Sequence, residues 1–379
     1  PARAARLAPG RGGIKEVNMT DDSLYSRTDQ TKVSELLAKR DLHEVLAQIK
    51  GPGFTEYRRR WDAAQRFEIE LPYPLHVDLE LTFACNLRCP MCIMSLPKED
   101  LKAWGDQRGK MSLETARRLI DEGVQEGQAS LGLNGTNEPL LTPYLVDIIE
   151  YAHAQGILDI MFNSNGFLLT EELSHRLIDS GLTRIMFSLD AITESTYDRI
   201  RVRSDFNRVM RNIETFLRVK REKGAVLPLT RVSFVKMSVN EHELGDFVDH
   251  WAEKVDFLSI QQYGNPFQGD KKGEKEELRA QNLDFQFEEA FRCPQPWVRA
   301  LVRNDGQVLP CCAFLGMKFD MGNIHKRRLK ELWQGPEWAH LRRLHSEGRY
   351  REEPICQECK VSRDGEFEEI LSIDNGALA

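Results

Sequence analysis

The sequence predicts an α/β protein built on a parallel sheet, and three observations carry that expectation. Strand-like runs alternate with amphipathic segments from residue 76 onward, which is the pattern of strand–helix–strand units with right-handed crossovers. Glycines at 127, 156 and 181 stand at the ends of three of the helical segments, where a chain commonly leaves a helix. A cluster of three cysteines, Cys85, Cys89 and Cys92, falls directly after the first run. In full barrels of this class, reactive groups gather at the C-terminal ends of the strands.

Taken in order, residues 31–50 (TKVSELLAKRDLHEVLAQIK) place Val33, Leu36, Leu37, Val45, Leu46 and Ile49 near helical spacing before Gly51-Pro52-Gly53. A second helical stretch covers roughly 54–67. The predicted strands are His76–Leu81, Ser130–Leu133, Asp159–Asn163, Arg184–Leu189, Arg231–Met237 and Phe257–Gln261. Between them lie helices near 112–126, 143–155, 171–180, 205–222 and 241–254. This divides the chain into a helical N-terminal extension (19–74), a strand–helix body (75–263), a charged Gly-containing linker or lid (264–285), a cysteine-rich region (286–365) and a tail (366–379). Residues 1–18, rich in Ala, Arg, Gly and Pro and preceding Met19, read as leader or vector-derived sequence.

Length and composition bound the function. The 379 residues allow two or three domains. A net charge of -7 and a pI near 5.8 argue against a nucleic-acid surface. No apolar run approaches the ~20 residues that span a bilayer. The eight cysteines fall in two places, 85–92 and 293–359. That clustering, in a long chain without a secretory signal, suits metal–thiolate chemistry in a reducing compartment better than a disulfide framework, so the expected location is cytoplasmic.

The triplet Cys85-Asn-Leu-Arg-Cys89-Pro-Met-Cys92 reads C-x3-C-x2-C. Three thiolates can hold three irons of a [4Fe-4S] cluster and leave the fourth without a protein ligand. The pattern resembles the signature of the radical S-adenosylmethionine (radical SAM) superfamily. That resemblance implies a partial (β/α)6 TIM-like barrel, a cluster whose open iron chelates SAM, and SAM cleavage to a hydrogen-abstracting radical. The position before the third cysteine, often aromatic in the family, is Met91 here, and a thioether can also pack on an adenine ring. The competing reading of the triplet is a zinc knuckle.

Further segments match the family at successive strand ends. Asn137-Glu138-Pro139 is similar to its Gly-Gly-Glu segment, which makes Glu138 an acceptor for the SAM amino group. Asn163-Ser-Asn165-Gly resembles Thr-Asn-Gly and puts Asn165 near the ribose. Ser188 matches a hydroxyl that contacts the SAM carboxylate, and Arg201 offers that carboxylate a guanidinium fork. In isolation each would be a turn residue or a cap.

The later cysteines read C-x12-G-x4-C from Cys293 through Gly306 to Cys311, and then Cys356-x2-Cys359. This resembles the SPASM/twitch extension and implies one auxiliary [4Fe-4S] cluster on Cys293, Cys311, Cys356 and Cys359. A four-cysteine zinc site has the same appearance. Cys312 is left over, as a small buried hydrophobe or as a hydrogen-atom donor in an epimerase. The cysteine gaps look like those of twitch enzymes that dehydrogenate aminocyclitols. The expected function is therefore oxidation of a carbohydrate, aminocyclitol or sugar nucleotide with the auxiliary cluster as electron acceptor. The alternatives are an epimerase, a maturase of a ribosomally made peptide, and a non-catalytic zinc scaffold. A reductant such as flavodoxin or ferredoxin is implied. Gln261, Tyr263 and Arg303 lie where substrate contacts are expected, with nothing in their spacing to assign them a role.

Overall fold

A computed structural model of the chain describes residues 41–102, 104, 109–262, 291–359 and 368–372. The leader, the 264–285 linker and Tyr263 lie outside these residues. Two helices come first, α1 (Leu42–Lys50) and α2 (Pro52–Gln65). Of the helix expected over 31–50, residues 42–50 are helical as α1, and residues 31–40 lie outside the described residues. The Asp41 carboxylate accepts from the His43 and Glu44 amides at 2.7 and 3.0 Å, and its extended backbone makes it the N-cap.

The body alternates as predicted. Its strands are β1 (His76–Leu79), β2 (Ser130–Gly132), β3 (Asp159–Ser164), β4 (Arg184–Ser188), β5 (Leu229–Lys236) and β6 (Phe257–Gln262). Its helices are α3 (Lys98–Leu101), α4 (Leu113–Gln125), α5 (Leu145–Ala154), α6 (Glu171–Asp179), α7 (Glu194–Ile200), α8 (Phe206–Glu222) and α9 (Leu244–Trp251). Hydroxyl and carboxylate caps start several of them: Ser112 on α4, Thr170 on α6 and Asp205 on α8. Gly127, Gly156 and Gly181 follow α4, α5 and α6 with φ of 86, 94 and 89°.

The C-terminal region adds three strands that the sequence reading did not assign: β7 (Arg299–Val302), β8 (Val308–Leu309) and β9 (Glu368–Ser372). The sheet order is β8-β7-β1-β2-β3-β4-β5-β6-β9. The seven central strands are parallel, whereas β8 and β9 run antiparallel to β7 and β6. The sheet therefore does not close on itself, and the architecture is a partial barrel. Four helices complete the C-terminal region: α10 (Gln295–Val298), α11 (Leu329–Trp333), α12 (Pro336–Ser346) and α13 (Pro354–Glu358).

Alternation along β1 separates two environments. Val77, Leu79 and Leu81 join the apolar cluster that includes Ala116, Leu119 and Ile120 of α4. His76, Asp78 and Glu80 face the other way, into the barrel, where they are buried in polar company. His76 bonds Asp78 at 2.9 Å and Ser130 at 2.8 Å, and Ser130 lies 3.5 Å from Asp159, itself paired with Arg184. The interior is thus a hydrogen-bonded polar core at the N-terminal end of the strands, with Asp78 Oδ2 the buried oxygen of this group that has no hydrogen-bond partner.

A second apolar cluster seals that end. Leu46, Phe54, Tyr57 and Trp61 of α1 and α2 pack with Leu75, Ala129, Leu229, Phe257 and Val298, which stand at or just before the starts of β1, β2, β5, β6 and β7. The helical preface is therefore a floor, at the end of the barrel opposite the cysteine triplet.

Candidate functional site

The triplet sits on the loop leaving β1. The Leu87 amide lies 3.4 Å from Cys85 Sγ, the Cys92 amide bonds the Cys89 carbonyl at 2.9 Å, and Arg88 Nη1 holds the carbonyls of Cys85 and Leu87 at 2.7 and 2.6 Å. The Arg88 amide in turn bonds the Val202 carbonyl at 2.9 Å, fixing the loop to the end of α7. Burial pushes the Cys85 and Cys92 thiols up to about 12 and about 11, and the nearby charge of their fellow cysteines adds to it. Burial also raises Cys89, against the opposing pull of Arg201. Three adjacent thiols that resist ionisation singly are a donor set that cationic iron completes, because a metal holds coordinating thiols as thiolates.

Glu138 stands beside this loop. Its amide bonds the Ala84 carbonyl at 2.9 Å. Its carboxylate accepts from Ser164 Oγ (2.8 Å), the Asn165 amide (2.8 Å) and the Leu140 amide (3.1 Å). Burial lifts its pKa to about 6, and those donors hold the rise in check. Asn165 Nδ2 bonds Asn86 Oδ1 at 2.9 Å and lies 3.9 Å from Cys85 Sγ. Glu138, Asn165 and Cys85 are therefore one connected group. Met91 packs against Ile200, Met237 and Val239, an apolar patch above β5.

Ser188 ends β4 in register with Ser233 and is half-buried. Arg201, expected to meet a carboxylate, meets one already: its Nη2 pairs with Asp190. Arg201 Nη1 lies 3.9 Å from Cys89 Sγ, and its Nε is buried without a partner. Asp190, which the sequence reading did not single out, also accepts from the Val235 amide at 2.8 Å. Arg303, named from the sequence as a candidate substrate contact, is buried and paired at 3.3 Å with Glu80, which the sequence reading did not single out. Glu80 Oε2 accepts from the Thr136 amide at 2.8 Å. Gly135 is required there, because a Cβ would stand 2.3 Å from that oxygen. Gln261 is half-buried on β6.

The later cysteines gather through a hairpin. Gly306, with φ of 85°, makes the turn between β7 and β8, where the Arg303 amide bonds the Gln307 carbonyl at 2.8 Å. That turn brings Cys311 back beside Cys293 and explains the C-x12-G-x4-C spacing. Cys293, Cys311, Cys356 and Cys359 line a cavity of about 190 Å³, with Phe291, Phe319 and Tyr350 in its walls. Cys312 borders it as well but is exposed, and Arg299 Nη1 lies 2.9 Å from its sulfur. Cys312 is thus not the small buried side chain of the bland expectation. Burial pushes Cys293 up to about 12 and raises Cys311 and Cys356 further, with the neighbouring cysteines adding to it. Among the described residues no three His, Cys, Asp or Glu side chains close around a single ion. The four thiols stand around a cavity.

The two sites share one turn. A Cβ on Gly316 would stand 2.5 Å from Cys311 Sγ. The next residue, Met317, packs against the apolar cluster of Phe83, Ile93, Met94 and Leu101, on which Cys85 and Cys92 also pack, and receives Thr136 Oγ1 at 3.7 Å.

Sequence comparison matches residues 79–249 to the radical SAM superfamily and residues 293–360 to SPASM, an iron–sulfur cluster-binding domain. The chain belongs to the radical SAM superfamily. Its cofactors are S-adenosylmethionine and [4Fe-4S] clusters, and the two cysteine sets described above suit them. Mycofactocin maturase MftC of Mycobacterium tuberculosis is 30% identical over 150 residues, covering 40% of this chain and 36% of that protein. A probable GTP 3',8-cyclase of Methanococcus maripaludis is 30% identical over 183 residues, 48% of this chain and 56% of its own. The match thus spans between about a third and somewhat over half of these relatives. Among solved structures, SuiB of Streptococcus suis bound to precursor peptide SuiA superposes with a TM-score of 0.56 at 16% identity, over 82% of this chain and 74% of that one. That likeness is one of fold. No helix among the described residues is long and apolar enough to cross a membrane.

Proposed function

We propose that this radical SAM protein abstracts hydrogen from a polar substrate and completes an oxidation by passing an electron to an auxiliary cluster. In this reading Cys85, Cys89 and Cys92 hold the SAM-binding cluster, and Cys293, Cys311, Cys356 and Cys359 hold the auxiliary one. When bound, the cofactors would supply reductive SAM cleavage, hydrogen-atom abstraction from a hydroxyl-bearing carbon, and an acceptor for the electron that remains once the hydroxyl proton is lost.

The chain's own residues bind and orient. Glu138 already accepts three hydrogen bonds, and in this reading it receives the SAM ammonium as a further, charge-assisted donor. Asn165 lies between Glu138 and Cys85, suitably placed for a ribose. Ser188 and Arg201 take the carboxylate end, with Arg201 Nε as the nitrogen still unpartnered. The patch of Met91, Ile200, Met237 and Val239 offers an apolar face to an adenine ring.

The observation that carries the oxidative reading is the auxiliary cavity itself. Five thiols line it, and with Cys293, Cys311, Cys356 and Cys359 as ligands a cluster there would be fully ligated by protein and suited to electron transfer. The floor position of α1 and α2 also keeps residues 42–65 away from the site face. A second reading, a peptide maturase, is favoured by the likeness to MftC and to the SuiB fold seen with a precursor peptide.

Anaerobic reconstitution followed by SAM and dithionite, with iron counted first, tests both readings. Release of 5′-deoxyadenosine with carbohydrates and stoichiometric SAM consumption supports oxidation. Release only with peptides moves the assignment to maturation, and zinc in place of iron overturns both. An unchanged product from Cys312→Ala would remove the epimerase alternative.

A further inference from the structure

We propose that His345 sets the reduction potential of the auxiliary cluster, donating an Nε2–H hydrogen bond to the Cys356 sulfur. His345 lies on α12, outside every cysteine motif, and is 2% exposed. Its two ring nitrogens each meet a different cluster cysteine. Nδ1 lies 3.2 Å from the Cys293 amide nitrogen, and Nε2 lies 3.5 Å from Cys356 Sγ.

The tautomer follows from the first contact. A backbone amide can only donate, so Nδ1 is the acceptor and carries no proton. A neutral imidazole keeps its proton on the other nitrogen, which makes Nε2 a donor aimed at sulfur. The ring has little freedom to turn away. Its plane is 8° from that of Tyr350, with ring centroids 6.2 Å apart, and the Trp338, Leu341 and Leu344 side chains of the same helix are buried with it.

A hydrogen bond to a cluster thiolate draws electron density from sulfur and favours the more negative, reduced state. His345 is thus a positioning residue that acts through Cys356. It makes the auxiliary cluster a better acceptor for the electron that the proposed oxidation must dispose of. The same imidazole orders the Cys293 amide, so it joins two cysteines that lie 63 residues apart in the chain.

The inference rests on the assignment of Cys293, Cys311, Cys356 and Cys359 as ligands, and the test separates the two. Full-length protein with Cys85, Cys89 and Cys92 replaced by Ala isolates the auxiliary cluster. Iron in that parent confirms the ligand set independently of any potential, whereas no iron would overturn the assignment. In the same background, His345→Phe removes the donor, and His345→Gln keeps an N–H. EPR-monitored redox titration is expected to give a more negative midpoint for His345→Phe than for the parent, with His345→Gln between them. A midpoint unmoved in His345→Phe overturns the proposal. Pulsed EPR of the reduced parent labelled with 15N-histidine gives a readout that needs no variant at this position. A weak 15N coupling is expected. No coupling, or the strong coupling of a directly bonded nitrogen, would overturn it.

Discussion

Arg201 bridges Asp190 and Cys89: one guanidinium nitrogen pairs with the Asp190 carboxylate, and the other lies 3.9 Å from the cysteine sulfur. Asp190 follows β4 with φ of 67°, and its own carboxylate is pinned by the Val235 amide. The tops of β4 and β5 and the cysteine loop are thereby one unit. Asp190→Ala leaves a buried guanidinium unpaired, which typically costs about 3–5 kcal/mol. Denaturant unfolding should show that loss. Asp190→Ala with Arg201→Met should recover part of it, whereas strict additivity would mean the pair is not coupled.

Glu138 carries a pH dependence. Its folded pKa of about 6 lies above the ordinary 4.5, so between those values the folded protein binds more protons than the unfolded chain. The cofactor-free protein should therefore lose stability as pH rises from about 4.5 through about 6. That difference corresponds to about 2 kcal/mol in total. Thermal melts of apo-protein across this range check the sign, and Glu138→Gln should flatten the slope. The same substitution should weaken SAM binding at neutral pH, measured by calorimetry on the iron-loaded protein.

Gly316→Ala places a methyl group against Cys311 Sγ, at 2.5 Å before relaxation. The expected result is loss of about half the iron per chain, with the SAM-binding cluster retained in the EPR spectrum. Full iron retention would show that the turn can move away from the cysteine.

Phe54→Ala empties a fully buried position on the floor of the barrel. Large-to-small changes of this kind cost about 3–5 kcal/mol. Stability should fall by that order, while SAM affinity and iron content stay unchanged at temperatures where the variant remains folded.

The strand–helix body was legible because burial there repeats with a short period. Val77, Leu79 and Leu81 alternate with polar partners, and Ala116, Leu119 and Ile120 recur at helical spacing. The triplet was legible because its three cysteines lie within eight residues. What escaped were relationships fixed only by tertiary contact. Strand β7 is four residues beginning with an arginine, and its partner β1 lies more than two hundred residues earlier. Arg201 was legible as a guanidinium at the site, but Asp190 was not, and their pairing depends on the left-handed turn after β4. His345 stands eleven residues before Cys356 with no recurring spacing to mark it. Glu80 and Arg303 likewise meet across 223 positions.

Pairing with β9 has a consequence for solubility. Strand β6 carries Phe257, Leu258 and Ile260, and β9 supplies the antiparallel neighbour that occupies its outer backbone groups from Phe257 to Gln261. Shortening the chain ahead of Glu368 would leave that margin of the sheet unprotected, an invitation for one molecule to zip onto the next. Such a truncation should keep its secondary structure and yet precipitate with rising concentration.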